Sequence, residues 1–270
     1  MVSIPLLAGP VIAALIFAQA QTQTPPPKPF EPTVGMAGKD VVWVPSSPQV
    51  VEKMLDVAKV TPQDLVMDLG SGDGRMIIAA ARRGVRAVGI EYNPDMVVLS
   101  RARAKEAGLD ARASFEQGDM YEADISKASV MALFLLTSNL DKLKDKFLAL
   151  KPGSRIVLNT YEITGWEPDE KVVVEDGCTT WCTVLLHIVP ARVAGVWRFG
   201  QGELRLAQEF QKLTGELTAG GKTSAVTGSL KGEEITLTIG GVPYTGRVAG
   251  ERMEGVSGPQ RQAWSAIRNR

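Results

Sequence analysis

A short strand that runs directly into a glycine-rich turn is the feature that most constrains this fold. Residues 66–76 read VMDLGSGDGRM, an apolar run up to Leu69 followed by glycines at three alternate positions. Glycine tolerates positive φ and permits close backbone approach. The spacing departs from the Gly-x-Gly-x-x-Gly dinucleotide fingerprint, and the Gly-Lys-Ser/Thr ending of a phosphate-binding loop is missing. The stretch therefore predicts a tight strand-to-helix turn beside a ligand of another kind.

Strand-like and helix-like segments alternate around this turn, over residues 42–190. Ser47 and Pro48 are typical of a helix start, Gly84 of a helix end, and Asn93 of a further start. Alternation at this spacing predicts an α/β fold with a doubly wound, Rossmann-like parallel sheet and right-handed crossovers. Ligands bind beyond the carboxyl ends of the strands in such sheets, which is where the glycine turn lies.

The last part of the chain, residues 192–270, has a different character. Short stretches of alternating apolar and polar residues are separated by glycine-rich turns, which predicts a small C-terminal antiparallel β domain, either a sheet or a partial barrel. Trp197 and Trp264 lie near its two ends, and we expect both in its core. The pattern leaves open whether this domain presents substrate, binds a partner or caps the preceding domain.

The N-terminus is unlike the rest of the chain. Ile4 to Ala18 is an uncharged apolar run, followed by the small-x-small pattern Ala18-Gln19-Ala20 and a proline-rich linker. No Lys or Arg precedes Lys28, so the usual basic start of a signal peptide is missing. We expect residues 1–38 to be a signal or anchor segment with its linker, either cleaved or retained. A catalytic domain is predicted over residues 39–191 and the β domain over residues 192–270.

Composition limits the partners and the chemistry. Thirty basic and thirty acidic residues give no net charge, which disfavours nucleic acid as a partner. Cys178, Cys182 and a single histidine, His187, do not form a metal-ligand pattern, so no metal site is predicted. Read as a strand, the stretch between the cysteines would span roughly 13 Å. That separation is too long for a disulfide, so we expect two core thiols.

Acidic residues follow successive predicted strands and indicate a ligand that carries positive charge. Asp68 precedes the glycine turn, Glu91 ends the second strand, and Asp119 follows the third. S-adenosylmethionine carries an ammonium and a sulfonium. Glu91 is suited to accept both ribose hydroxyls, as the acid does in dinucleotide folds. Asp119 is suited to the adenine amino group, with Met120 against the ring. The residues predicted to bind this cofactor are Asp68, Gly70, Ser71, Gly72, Gly74, Glu91, Tyr92, Asp119 and Met120.

The stretch VWVPSSPQVVEKMLDVAKVTPQDLVMDLGSGDGRMIIAAARRGVRAVGIEYNP resembles the class I S-adenosylmethionine-dependent methyltransferases. More narrowly, it resembles the lysine methyltransferases of the ATP synthase c subunit and the adenine nucleotide translocase. These share the Val-Pro-Ser/Thr entry, the D-x-G-S-G-D-G-R turn, the G-I-E strand end and a hydrophobic N-terminal segment. The resemblance covers residues 42–190. It loosens at LFLLTSNL and at NTYEITGWEPDE, the regions expected to shape the acceptor site.

The resemblance implies methyl transfer to the amine of a protein lysine. With a reference pKa near 10.4, deprotonating lysine at pH 7 costs about 4 to 5 kcal/mol unless the site helps. Tyr161, Glu162 and Asp73 are the predicted catalytic residues, with an ordinary role as loop polar groups open for the first two. No Asn/Asp-Pro-Pro-Tyr/Phe motif follows the fourth strand, which disfavours amide or base nitrogens as acceptors. No sequence feature requires a second cofactor.

Three interpretations remain open because this cofactor is made in the cytoplasm while the N-terminus resembles an export or anchor signal. In the first, an uncleaved anchor holds a cytoplasmic catalytic domain that methylates lysines of membrane proteins. In the second, the acceptor is a small molecule or a lipid. In the third, the chain is an exported, non-catalytic binding module that retains the fold.

Overall fold

The computed structural model describes residues 1–2 and 30–269, which form a mixed sheet with flanking helices and a separate β-barrel. The apolar run predicted as a signal or anchor segment lies outside the described residues. Within them, no helix has both the length and the apolar character needed to cross a membrane.

Within the described residues, four helices flank the sheet: α1 (Pro48–Val57), α2 (Arg75–Arg82), α3 (Pro94–Glu106) and α4 (Thr137–Leu148). Three of their ends follow the predicted signals. The Ser47 hydroxyl accepts a hydrogen bond from the backbone N–H of Val50 at 3.3 Å, and Asn93 caps α3 by accepting from Asp95 N–H at 2.9 Å. Beyond the end of α2 the chain reverses at Gly84, whose φ is +83°.

The sheet has seven strands in the order β3-β2-β1-β4-β5-β7-β6. They are β1 (Leu65–Leu69), β2 (Arg86–Glu91), β3 (Ala113–Gln117), β4 (Val130–Leu133), β5 (Arg155–Asn159), β6 (Glu170–Val173) and β7 (Thr183–Ile188). Strands β1 to β5 are parallel, whereas β7 is antiparallel to both β5 and β6. Since β1 pairs with β2 on one side and β4 on the other, strand order reverses at β1. The predicted doubly wound fold is confirmed.

Strand β1 is buried on both faces, which explains its nearly continuous apolar sequence. Val66 packs into the core cluster that includes α1 and α2, and Met67 and Leu69 pack into the opposite cluster with α4. The acid that interrupts the strand, Asp68, stands at its carboxyl end. The central strand therefore places a carboxylate where the two crossovers diverge.

The C-terminal strands close into an eight-stranded antiparallel barrel in the order β10-β11-β12-β13-β14-β15-β8-β9. They are β8 (Gly195–Phe199), β9 (Gly202–Glu209), β10 (Lys212–Ala219), β11 (Lys222–Lys231), β12 (Glu234–Ile239), β13 (Val242–Ala249), β14 (Arg252–Ser257) and β15 (Gln262–Arg268). Closure comes from β8, which pairs with both β9 and β15. The barrel interior is filled by apolar side chains, including the two predicted core residues Trp197 and Trp264.

The barrel is attached to the sheet through an aromatic contact. The Trp166 ring, from the loop after β5, stacks on Phe210 of the β9–β10 turn with centroids 5.4 Å apart. His187 of β7 packs edge-on against the same Trp166 ring at 5.2 Å. Beside them, Lys212 forms an ion pair with Glu167 at 2.6 Å.

The two cysteines form a disulfide, so the prediction of two core thiols was wrong. Cys178 and Cys182 lie in the loop between β6 and β7, where the chain turns at Gly177 and Trp181 with φ values of +71° and +56°. The turn brings the two Cα atoms to 5.7 Å, within the range of a disulfide. The estimate from the sequence failed because it assumed an extended backbone.

Candidate cofactor-binding and acceptor site

A cavity of about 230 Å³ opens at the carboxyl ends of the parallel strands. Four neighbouring strands bring residues to its wall, among them Gly70 after β1, Glu91 at the end of β2, Asp119 after β3 and Phe134 after β4. Residues 36–44, here called the N-terminal strap, line it from the other side. This is the position in which doubly wound sheets bind ligands.

A smaller cavity of about 50 Å³ lies beside the first and continues it toward Asp68 and Ser71. The two cavities share Trp43, Gly70 and Phe134 in their walls. The hydroxyl of Ser71 is buried and has no hydrogen-bond partner among the described residues. A ligand that occupies both cavities would therefore pass between Gly70 and Phe134 and meet unsatisfied polar groups at the Asp68 end.

Asp68 is a buried carboxylate, with 7% of its surface exposed. Burial raises its pKa well above the ordinary value, and the nearby carboxylates of Glu91 and Asp73 raise it further. Within the described part of the chain, no Lys, Arg or His forms an ion pair with Asp68. A carboxylate in this setting is stabilised by a cation brought by a ligand.

Glu91 is held in place by two backbone groups. One carboxylate oxygen accepts from Gly72 N–H at 2.8 Å, and the other accepts from Asn93 N–H at 2.9 Å. Each oxygen keeps a further lone pair, and the side chain lines the larger cavity. The glycine turn and the start of α3 thus orient Glu91 for a ligand that offers two hydroxyl donors.

Asp119 lies in the same cavity wall, but a residue of the strap already contacts it. Its Oδ2 forms an ion pair with Lys39, and its Oδ1 accepts from Tyr121 N–H at 2.8 Å. The Lys39 hydrogen bond, followed by the Tyr121 N–H, lowers the pKa of Asp119. The Lys39 ammonium also lies 5.1 Å from the centre of the exposed Tyr92 ring. Met120 is buried and lines the cavity beside this ion pair.

The glycine turn is shaped by packing as well as by the ligand site. Gly72 has φ +54°, and a Cβ there would lie 2.6 Å from the indole nitrogen of Trp43. Gly74 has φ +80°, and its Cβ would lie 2.7 Å from the Phe115 ring. Gly72 therefore seats the strap and Gly74 seats β3 against the turn. Of the three turn glycines, Gly70 lines both cavities, and its cofactor role stays a prediction.

Asp73 is not placed to act as a general base. One carboxylate oxygen accepts from Arg75 Nε at 2.9 Å, while the other accepts from Arg75 Nη2 at 2.7 Å and also pairs with Arg103. Burial raises the pKa of Asp73, but the two arginines outweigh it and the pKa is lowered. The geometry favours a structural role, in which this carboxylate joins the turn to α2 and α3, and does not support the predicted catalytic role.

The two other predicted catalytic residues are separated by the structure. Tyr161 lines the larger cavity, and its ring stacks on Phe134 with centroids 6.0 Å apart. Glu162 is exposed, does not line that cavity, and lies 3.4 Å from the ammonium of Lys171. Only Tyr161 is near the site, so the structure does not support the prediction for Glu162.

Several residues at the site were not predicted. Lys39 and Trp43 come from the strap, Phe134 comes from the loop after β4, and Trp181 comes from the loop before β7. Trp43 directly precedes the Val-Pro-Ser/Thr entry that the family shares, but nothing in that motif indicated that the tryptophan packs on Gly72. The strap is held as a hairpin by the bridge between Ala37 and Val42, so the predicted domain start at residue 39 divides it.

S-adenosylmethionine fits this donor set. The Asp68 carboxylate, which has no cationic partner in the described part of the chain, is available to the ammonium. Glu91 offers two oriented acceptors for ribose hydroxyls, and Met120 offers an apolar surface for adenine. The narrow passage at Gly70 and Phe134 would then hold the sulfonium. The roles assigned to the individual residues stay predictions, and the geometry is consistent with those for Asp68, Glu91 and Met120.

Comparison with known proteins agrees with this site. The family described as ANTKMT methyltransferase domain matches residues 68–170. A protein-lysine N-methyltransferase of Saccharolobus islandicus is 43% identical over 152 residues, which span 55% of this chain and 94% of the relative. The adenine nucleotide translocase lysine N-methyltransferase of Mus musculus is 36% identical over 47% of this chain. The chain spans 56% of that mouse relative.

A solved structure is similar in fold as well as in sequence. It is described as an RNA methyltransferase from Salinibacter ruber in complex with S-adenosyl-L-homocysteine, and it has 43% sequence identity and a TM-score of 0.52. The match covers 56% of this chain and 96% of that chain.

The fold and the site define an S-adenosylmethionine-dependent methyltransferase. Within that class, the chain belongs to the family of lysine N-methyltransferases that includes those of the adenine nucleotide translocase and of the ATP synthase c subunit.

Proposed function

We propose that this chain methylates the ε-amine of a lysine in a protein substrate. The observation that carries the proposal is the apolar segment after β4, in which Phe134, Leu135 and Leu136 line the cofactor cavity. The relatives described as protein-lysine N-methyltransferases support the same acceptor. S-adenosylmethionine supplies an electrophilic methyl group when it is bound.

The apolar segment after β4 also favours the neutral amine, which is the reactive form of the acceptor. A lysine amine must be neutral to react, and desolvation disfavours its charged form. Phe134 and Leu135 shield the passage beside Gly70 from water, and the Tyr161 hydroxyl, which lines the same cavity, relays the proton of the amine to solvent. Burial of the lysine side chain against this apolar surface thus contributes to lowering the pKa of the amine.

RNA is a second acceptor to consider, because the Salinibacter neighbour is described as an RNA methyltransferase. Two features of this chain favour a protein instead. Its thirty basic and thirty acidic residues give no net charge. Nucleic-acid binding normally relies on a basic surface that neutralises phosphates. The segment after β4 also lacks the polar motif of enzymes that act on base nitrogens.

The test is transfer of tritiated methyl from S-adenosylmethionine to fractionated extracts of the source cells. Membrane proteins, soluble proteins, total RNA and lipids are assayed in parallel, with Asp68→Ala as the inactive control. We expect label on lysines of protein fractions, located by mass spectrometry. Label confined to RNA, lipid or small molecules would refute the lysine proposal while leaving the methyltransferase assignment intact.

We also propose that the apolar run Ile4–Ala18 is a retained anchor that holds the catalytic domain on the cytoplasmic side of a membrane. This placement is supported by the run itself and by the need for a cytoplasmic cofactor. The Cys178–Cys182 disulfide favours the competing location, because such bonds persist mainly in oxidising compartments.

Thiol trapping separates the two locations. Cells that express the full chain are treated with a membrane-permeant maleimide before and after reduction, and the fractions are compared on gels. The anchored cytoplasmic form is supported if the catalytic domain is found in the membrane fraction and if added protease digests it only after the cells are lysed. A cleaved, soluble, fully oxidised chain outside the inner membrane would overturn it.

A further inference from the structure

Three aromatic side chains meet at one wall of the larger cavity. Phe134 follows β4, Tyr161 follows β5 and Trp181 precedes β7, and all three line the cavity. The Phe134 ring lies 6.0 Å from Tyr161 in a stacked arrangement and 5.9 Å from Trp181 in an edge-on arrangement. We call these three residues the aromatic wall. The separations are those of interacting aromatic pairs.

Two residues with unusual backbone conformations hold this wall. Thr160, directly before Tyr161, has φ +66°, and Trp181 itself has φ +56°. A β-branched residue at positive φ is a genuine outlier, and such conformations persist where the surrounding structure enforces them, often at functional sites. The Thr160 N–H donates to the Thr183 carbonyl at 2.7 Å, so β7 helps to enforce the turn before Tyr161.

Trp181 lies within the disulfide turn. It directly precedes Cys182, whose bond to Cys178 closes the turn. In the part of the chain that the structure describes, no hydrogen bond anchors the indole N–H, and 39% of the residue surface is exposed. Together with Phe134 and Tyr161, the partly exposed Trp181 ring gives the cavity an aromatic lining of the kind that binds ligands.

The position of the wall relates it to the reacting methyl group. Phe134 lines both cavities, so it stands at the passage that joins the Asp68 end to the Glu91 end. If Asp68 holds the ammonium of the cofactor and Glu91 its ribose, as predicted, the sulfonium between those two groups would lie near this passage. The faces of Trp and Tyr rings attract cations, and Trp does so most strongly. The wall is therefore suited to an alkylammonium group that approaches this passage.

We propose that Trp181, positioned by the Cys178–Cys182 disulfide, forms the outer face of the acceptor site and selects an alkylammonium acceptor. This inference rests on the proposed lysine methyltransferase function and on the oxidised form of the two cysteines, not on the proposed cytoplasmic location, and it assigns a specificity-determining residue to that function. The ring binds the lysine ammonium before it is deprotonated at the passage. The two cysteines act as positioning residues, since neither of them lines the cavity.

The test compares Trp181→Leu, which keeps bulk but removes the aromatic face, with Trp181→Phe, which keeps an aromatic face. The full chain is assayed with Nα-acetyl-lysine methylamide as acceptor, and its affinity for S-adenosylmethionine is measured by calorimetry. We expect KM for the acceptor to rise about three- to fivefold in Trp181→Leu and to stay within about twofold in Trp181→Phe. Cofactor affinity and kcat should be unchanged in both. Equal KM in the two variants, or equal loss of cofactor affinity, would overturn the inference.

The positioning role is tested with the double variant Cys178→Ser/Cys182→Ser. It should reproduce the raised KM of Trp181→Leu with unchanged cofactor affinity, even though loss of the disulfide lowers the stability of the protein. Adding Trp181→Leu to the double variant should then change KM little further, because both act on the same contact. Additive effects would show that the disulfide does not act through Trp181.

A binding measurement separates failure of this inference from failure of the lysine proposal. The full chain saturated with S-adenosyl-L-homocysteine is titrated with n-butylammonium and, separately, with 1-butanol, and binding is followed by saturation-transfer NMR. Preference for the ammonium that is lost in Trp181→Leu supports the wall even where lysine is not methylated. Equal binding of ammonium and alcohol in the unmodified protein contradicts it.

Discussion

At the scale of single residues, Asp68 links stability to cofactor binding. Its folded pKa is raised above the ordinary value of 3.8, first by burial and then by Glu91 and Asp73. The unfolded chain therefore releases this proton more readily than the folded one, and Asp68 destabilises the cofactor-free protein progressively as the pH rises above that value. A bound ammonium would relieve this destabilisation.

Replacing Asp68 should separate these two effects. Asp68→Asn removes the buried charge, so we expect the cofactor-free protein to be stabilised by roughly 1–2 kcal/mol at pH 7 while S-adenosylmethionine affinity falls at least about tenfold. Urea denaturation and calorimetry measure the two quantities. Asp110→Asn, the same change at an exposed position, should alter neither. Weakened folding together with unchanged cofactor affinity would show that Asp68 does not bind the ammonium.

Asp73 illustrates the opposite case, a carboxylate whose partners are all within the protein. Asp73→Asn leaves Arg75 and Arg103 without their shared anion, and both arginines are partly exposed. We expect a loss of about 2–3 kcal/mol in the free energy of unfolding, with kcat close to that of the unmodified enzyme at low temperature. A large fall in kcat without a loss of stability would instead restore the predicted role as a base.

At the scale of elements, the N-terminal strap is coupled to the cofactor site through Lys39. Its ammonium pairs with Asp119 and lies over the Tyr92 ring, so it occupies the carboxylate predicted for the adenine amino group. Lys39→Met should free Asp119 and raise S-adenosylmethionine affinity by roughly two- to fivefold at low salt, since exposed pairs contribute little.

Salt dependence provides the check on this strap prediction. The gain in affinity from Lys39→Met should shrink as ionic strength rises, because the competing ion pair is screened in the unmodified protein. Lys127→Met, at an exposed position away from the strap, serves as the matched control. A loss of affinity in Lys39→Met at every salt concentration would mean that Lys39 contacts the cofactor rather than competing with it.

The sequence predicted some elements of the structure better than others. Strands β1 to β5 and the ends of α1 and α3 followed from local signals, since apolar runs and caps such as Ser47 and Asn93 act within a few residues. The loop of Cys178 and Cys182 was misjudged, because a turn at positive φ leaves no reliable local signal when Trp181 occupies it. The predicted domain boundary at residue 39 divides the strap for a related reason, because the residue on which the strap packs, Gly72, is distant in sequence.

At the scale of the whole molecule, the junction between sheet and barrel contains a buried histidine. His187 is fully buried against Trp166, and neither ring nitrogen has a hydrogen-bond partner among the described residues. Burial lowers its pKa from 6.5 to about 4. The unfolded state therefore takes up a proton before the folded state does, so the contribution of His187 to stability is present above pH 6.5 and is lost as the pH falls toward 4.

This predicts an acid-sensitive junction. Between pH 7 and pH 4.5 the unmodified protein should lose roughly 2–3 kcal/mol more stability than His187→Leu, because the variant cannot take up this proton on unfolding. Urea denaturation across that range measures the difference and cancels the titration of carboxylates common to both proteins. Parallel pH profiles for the two proteins would show that His187 does not control the acid response.

The fold class, the position of the ligand site and the acids around it were determined by the sequence alone. Each depends on short-range patterns: strand and helix periodicity, a glycine turn after β1, and acids such as Asp68 and Glu91 at the ends of strands that any parallel sheet brings to one edge. The family resemblance rests on the same local motifs, which is why the cofactor could be predicted before the structure was known.

Only the tertiary structure decided which side chains share the site and which merely have suitable chemistry. Asp73 turned toward two arginines, Glu162 toward solvent, and Lys39 and Trp181 entered from segments distant in sequence. Closure of the barrel was likewise decided by the long-range pairing of β8 with β15, whereas the disulfide was decided by a local turn at positive φ that the sequence did not reveal. Contacts of this kind depend on where the whole chain places its loops, and the residues next to each loop in sequence do not encode that placement.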